Sequence, residues 1–568
     1  MVRHMNTPPH VPQAEHGAAE IPDPSEMYDV AILGSHLETG LLAAALARQG
    51  VRVLLAGASE DSSAPAGETT VPYTAEVFNL LARRFDVPEA AAFGLFPHLP
   101  DRIRAGSGLN KSLGYLYHRP GKPQHPDECV QFVVPGEHGE WHPYRPDVDR
   151  YARELARKYG ALTTPDTTEV EDAWTEDDHT ARVRVTGGTT YRARFLVDAV
   201  GAGSPLARRN GGDDMTPRLK HTSRVYAAVM RDVTPFEELV AMRRYRHMAP
   251  WSQGTVNHLF DGGWLQLAAF GNHEESGNPL TSVTLSLAPD AFPDLPDDPD
   301  KVFAEVIRNY PDIERQFQDA TPVRPWTAAG QWQRTAGRTY GTGWFLLGRS
   351  AVRNDMFLAR DITMGMESVC ALAAALVAAV REDDFSPERF ARIAEFQQEL
   401  SRWNDALLHA ARTACTDFRL WNAYCRIWLV WQQIAHLALR RARAEGEASE
   451  GRDWSAVEKY ELGGMWFDAP SGLRDIISDS LRIIDSVRTG RVTPATAADQ
   501  IFGKLREAPF IPPLKILKSA RTRVYLYSWP QRIRMLFWLK FQASDDFRRL
   551  LTRENVMTTK PPAADGEE

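Results

Sequence analysis

YDVAILGSHLETGLLAAALARQGVRVLLAG, residues 28–57, decides the fold. Its apolar run VAIL, a tight turn, the apolar stretch LLAAALA and a second run VRVLLA read as strand, turn, helix and strand. That is one βαβ unit, the opening of a dinucleotide-binding fold. Farther along, RFLVDAVGAG (194–203) reads as a later buried strand ending in a glycine turn. Between them, RPDVDRYARELARKYGA (145–161) has the apolar spacing of an amphipathic helix.

Outward from this unit, the stretch 217–330 alternates strand-like runs such as GGWLQLAAFG and TSVTLSLAPD with turns, which predicts a mixed sheet roofing a substrate cavity. GWFLLGRS (343–350) returns to a buried strand, and ITMGMESVCALAAALVAAVRE (362–382) to a long helix. From about residue 385 helices dominate, with aromatics at helical spacing in DFRLWNAYCRIWLVWQQIAHLAL (417–439) and a charged loop expected at EGEASEGRD (445–453). The tail RVYLYSWPQRIRMLFWLKF (523–541) mixes basic and aromatic residues, as a packed terminal helix or one lying at a membrane surface would.

The chain of 568 residues carries a net charge of -8, which argues against general nucleic-acid binding. Four cysteines stand far apart with no CxxC pair, so no metal site is expected and a reduced, cytoplasmic protein is. The first 27 residues lack the apolar core of a secretory signal and read as a disordered arm, and no uninterrupted apolar run predicts a membrane span.

Seven phrases in one order, GETTVP (67–72), SGLNKSLGYLYHRPGKP (107–123), YRPDVDRYARELARKYGA (144–161), HLFDGGW (258–264), GNPLTSV (277–283), REDDFSPERF (381–390) and DFRLWNAYCRIW (417–428), together resemble flavin-dependent halogenases, nearest the chloramphenicol-pathway type. The resemblance covers roughly residues 28–440. It implies an α/β fold: an FAD-binding domain, Rossmann-like and p-hydroxybenzoate-hydroxylase-like (28–216 and 331–384), a mixed-sheet substrate region (217–330) and a helical C-terminal domain (385–557), with disordered ends at 1–27 and 558–568. The chemistry it implies uses reduced FAD, oxygen and halide, and passes hypohalous acid through a tunnel to a lysine beside the substrate.

Several positions depart from that pattern. A G-x-G-x-x-G turn needs glycines where backbone meets pyrophosphate, yet only Gly34 is in register, with His36 and Glu38 set where they oppose an anion. Gly57 stands where an acid would bond the adenosine ribose. In the turn that the resemblance places against the flavin ring and halide, Asp355 and Arg360 are kept. Met356, Ala359 and Asp361 there replace proline, serine and glycine, and Arg349 and Arg353 add charge. The signature W-x-W-x-I-P corresponds to Trp264-Leu265-Gln266-Leu267-Ala268-Ala269, where only the first tryptophan remains. The family lysine position falls on Lys111 or on Asn110. These residues set the candidate site: Lys111, Glu68, His118, Asp355 and Arg360 for catalysis, with Gly34, His36, Glu38, Gly57, Arg349 and Asp361 at the cofactor and halide positions. His125 is a further acid-base candidate. Arg349 or Arg353 is expected to pair with Glu38 or Asp361, because buried charges need partners.

The expected function is a halogenase-fold tailoring protein of natural-product biosynthesis that works without bound FAD, by cyclisation, elimination or rearrangement of a polyketide or peptide intermediate. One alternative is a working FAD-dependent halogenase or monooxygenase with an atypical phosphate loop. The other is a noncatalytic binder. The expected partner is a small molecule or a carrier-protein-tethered intermediate.

Overall fold

In a computed structural model, the structure describes residues 22–58, 68–133, 139–212, 214–463, 472–524 and 529–551. The expected arm up to residue 21 and the tail 558–568 lie outside them. The opening unit forms as read: strand Met27–Leu33, helix Leu37–Arg48 and strand Val53–Ala56. The two strands pair in parallel, and Met27–Leu33 also runs parallel to Thr190–Asp198, which pairs in turn with Trp344–Leu346. These strands are buried on both faces, which is why they read as continuous apolar runs.

Helix Leu37–Arg48 packs against helix Arg145–Lys158 and against the long helix Asp361–Glu382. Gly40 permits the first contact: a Cβ there would come within 2.6 Å of the Ala152 backbone. Asp361–Glu382 has the length and apolar content of a membrane span, but 78% of that stretch is buried inside the protein, as in a core helix.

The second sheet is mixed. Its strands run Thr321–Pro322, Arg224–Arg231, Thr281–Leu287, Gly263–Ala269, Thr255–Phe260, Ser112–Tyr117 and Cys129–Val133, with Thr327–Ala329 also paired to Arg224–Arg231 and one parallel pairing between Thr255–Phe260 and Ser112–Tyr117. It therefore takes in two strands from outside the stretch 217–330. One face gives Tyr115, Tyr117, Leu259 and Trp264 to the large core shared with the helices. The other gives Leu116, Phe260, Leu265 and Val283 to a smaller core under Pro299–Ile307 and Pro311–Gln316.

Helices Pro387–Ala414 and Phe418–Ala448 lead the C-terminal region. Phe418–Ala448 runs on past the start of the expected charged loop, because Glu445 and Glu447 each sit one turn after an arginine, Arg441 (2.7 Å) and Arg443 (2.6 Å). Trp421 reaches from this helix to Tyr115 and Phe357, tying it to the turn before Asp361.

Candidate functional site

The turn after the first strand keeps the backbone of a dinucleotide cradle. Gly34 has φ +110°, and a Cβ there would press on Ala199. The groove beside it lies at the C-terminal ends of the parallel strands, where such folds bind ligands. Its electrostatics are altered by this chain's own acids. The Leu37 amide at the start of helix Leu37–Arg48 donates to Asp149 Oδ1 (2.8 Å), and Glu38 occupies the same helix end. The positive end of the helix, which would hold a phosphate, is thus already neutralised.

His36 bridges Glu38 Oε2 (2.6 Å, through Nδ1) and the Ala199 carbonyl (2.9 Å, through Nε2). Both partners accept, so the ring donates from both nitrogens as an imidazolium. Burial opposes that charge, but Glu38 overrides it and raises the pKa above the usual histidine value.

At the centre lies Arg145, 1% exposed, with Glu38 at 3.1 Å, Glu68 at 2.6 Å and Asp149 at 3.0 Å. Arg349 grips Glu68 and, at 2.7 Å, Asp361, the first-turn acid at the second helix end facing the groove. Arg349 therefore pairs with Asp361. Arg353 instead lies over the Trp332 ring at 4.3 Å and donates to the Trp332 carbonyl. Burial pushes the Glu68 carboxyl up to about 7, against the pull of both arginines. Four carboxylates thus face two arginines and one imidazolium, and the surplus negative charge is met by a proton held near neutrality.

Arg145 and Arg153 went unread in the sequence. They share one helix face with Asp149 at i, i+4 and i+8, alongside Val148, Ala152 and Ala156, and charges on an apolar stripe were the signal. Arg153 donates to Ser35 Oγ (2.8 Å) and to the Gly57 carbonyl (3.1 Å), filling the region where a ribose acid was sought. Asp198, at the end of its strand, accepts from Ser350 (3.0 Å) and so positions the turn that carries Arg349.

The remaining candidates are dispersed. Asn110 is fully buried and donates to Thr69 Oγ1 (2.7 Å), next to Glu68, whereas Lys111 reaches away to Gln253 (2.8 Å). Asn110 is the one that faces the site. His118 sits in the smaller core beside His258 (2.9 Å), where burial and that neighbour hold its pKa well below the usual value; it is a core histidine there, not a member of the site. His125 is an exposed turn residue. Arg360 donates to Glu367 (2.9 Å) and lies over Tyr73 and Trp431. Asp355 accepts from Ser223 (2.8 Å) and Ser286 (2.6 Å), joining the second sheet to the turn. In that turn Leu358 (φ 73°) and Ala359 (φ 55°) are both left-handed, a conformation that costs non-glycine residues energy and gathers at functional sites. Beside it Trp264 stacks on Phe357 at 4.3 Å.

The free space between His36, Glu38, Arg349 and Asp361 is about 30 Å³, room for about two water molecules. In this arrangement the residues do not fit an FAD pyrophosphate: the groove is closed by ion pairs, and acids hold both helix ends.

No family model matches the chain. It is 31% identical to a tetracycline 7-halogenase of Kitasatospora aureofaciens over 92% of this chain and 95% of the relative. It is 32% identical to monodechloroaminopyrrolnitrin halogenase PrnC of Pseudomonas fluorescens over 86% of each. Among solved structures, the halogenase PltM in complex with phloroglucinol and FAD superposes with a TM-score of 0.82 at 25% identity, covering 88% of this chain and all of that one. That FAD complex overturns the expectation of no cofactor. The backbone cradle at Gly34 and the helix end behind it persist, and what closes the groove is side chains alone.

Proposed function

The chain belongs to the flavin-dependent halogenase family, and from that premise we propose that it is an FAD-using tailoring enzyme of natural-product biosynthesis that modifies an electron-rich aromatic ring. The observation that carries this reading is the match to a tetracycline halogenase along 95% of that protein's length. The aromatic substrate class rests on the relatives: a tetracycline and an aminopyrrolnitrin in their names, and phloroglucinol bound to PltM.

Asn110 supports a second reading. An amide has no ammonium to position hypohalous acid, so its place beside Thr69 favours oxygen transfer, a flavin monooxygenase reaction, over halogen transfer. In both readings flavin binding requires Arg349 to leave Glu68 and Asp361 and the His36–Glu38 pair to yield.

The test is a titration of oxidised and reduced FAD, followed by turnover of phloroglucinol with a flavin reductase and chloride or bromide. Reduced FAD is expected to bind. Affinity should rise as pH falls below about 7, because protonating Glu68 removes one carboxylate from the groove. Asp361→Gly and Glu38→Gln each remove a carboxylate from the groove and should each tighten binding by about tenfold, or ~1.4 kcal/mol. A halogenated product selects the first reading and a hydroxylated one the second. If neither form of FAD binds the wild type or either variant, both readings fall.

A further inference from the structure

The helix Trp529–Phe541, WPQRIRMLFWLKF, is apolar on two sides. One side closes on the protein: Trp538 is buried with its ring on Phe547 at 5.0 Å, and Met535 and Leu539 pack on the large core. A surface helix of a globular protein ordinarily shows water a polar face opposite that stripe. This one shows Trp529 (69% exposed), Ile533 (58%), Leu536 (53%), Phe537 (54%) and Phe541 (60%). Their spacing of i, i+4, i+7, i+8 and i+12 lines them along one stripe. Only ten large apolar residues are exposed among the described residues, and five are here, so the patch is a concentration and not a scatter.

Its charge is one-signed. The helix sequence holds Arg532, Arg534 and Lys540 and no acid, in a chain whose net charge is -8. Arg534 and Lys540 are exposed, and Lys540 lies over the Phe541 ring at 5.2 Å, within the apolar stripe itself. A second copy docked by the same face would set cation against cation across a two-fold axis. A lipid headgroup layer offers phosphates to the cations and acyl chains to the rings at once.

We propose that this helix docks the enzyme on an anionic lipid bilayer. The Trp529, Ile533, Leu536, Phe537 and Phe541 side chains enter the boundary between headgroups and acyl chains, with Arg534 and Lys540 on the lipid phosphates. The docking is independent of flavin and of the reaction, so it stands or falls apart from them.

The experiment is co-sedimentation of the full chain with phosphatidylcholine vesicles, with and without phosphatidylglycerol, beside the double variant Ile533→Gln, Phe537→Gln. Both replaced residues are exposed, so the variant should keep the wild-type melting temperature. The wild type is expected to pellet with the phosphatidylglycerol vesicles, more weakly at high salt, and the variant to lose at least about tenfold in partitioning. The proposal is overturned if the wild type stays in solution with both vesicles, or if the variant pellets as well as the wild type. It is equally overturned if the substitutions turn a dimer into a monomer in sedimentation velocity while vesicles bind neither protein, which would make the occupant a second copy.

Discussion

Arg145 is the residue on which the groove's charge balance turns. Three carboxylates converge on a guanidinium removed from water, so removing it strands all three. Arg145→Met is expected to cost about 3–5 kcal/mol, read as the shift in a urea unfolding curve; a shift below about 1 kcal/mol would mean that the pairs are no better than surface ones. His36, Glu38 and Asp361 could be singled out in the sequence because each is the wrong charge or bulk at a helix start expected to meet phosphate. Their partner could not, since Arg145 lies 107 residues from Glu38 along the chain and nothing local says which way a long side chain turns.

Among the elements, the turn into helix Asp361–Glu382 stores the clearest backbone strain. Leu358 and Ala359 stand consecutively in the left-handed region, and Ala359 has no side-chain bond to hold it there. Ala359→Gly should relieve that residue and stabilise the fold by about 1 kcal/mol, seen as a rise in melting temperature. A fall would show that the turn is favoured by packing of the Ala359 methyl. The βαβ unit and the helix Arg145–Lys158 were legible because their apolar periodicity is local. The end of helix Phe418–Ala448 was misplaced for the opposite reason: a charged segment reads as loop until its acids are matched with arginines one turn back. The strand Ser112–Tyr117 falls within the stretch 28–216 expected for the FAD-binding domain yet joins the second sheet, because its parallel partner Thr255–Phe260 lies far along the chain.

Taken whole, the molecule is joined by buried histidines that must stay neutral. His142 links the sheets' surroundings through Ala269 (3.0 Å) and Thr255 (3.0 Å), and burial lowers its pKa to about 4, while burial takes His258 down to about 3. An unfolded histidine titrates near ~6.5, so below that pH the unfolded chain binds protons that the folded one refuses. Stability is therefore lost as pH falls from about 6.5 towards 4, by up to ~1.4 kcal/mol per pH unit for each such group. Glu68, its carboxyl raised to about 7, contributes with the opposite sign over the same window, so the histidine share is read as a difference: the urea midpoint of the wild type should fall relative to that of His142→Gln as pH drops, and a constant difference would clear His142 of the effect.

What the sequence by itself determined is the family, through the resemblance carried by phrases such as GETTVP, and the opening βαβ unit, because the strand-turn-helix periodicity of residues 28–57 is local and survives without neighbours. It also marked the unusual charges at the cofactor positions. Only the tertiary structure decided what those charges do: helix Arg145–Lys158 packs across the first helix at Gly40 and delivers Arg145 between Glu38 and Glu68, and the turn held by Asp198 delivers Arg349 to Glu68 and Asp361. Long-range pairing of buried charges depends on which helix faces meet, and that is set by packing between segments more than a hundred residues apart.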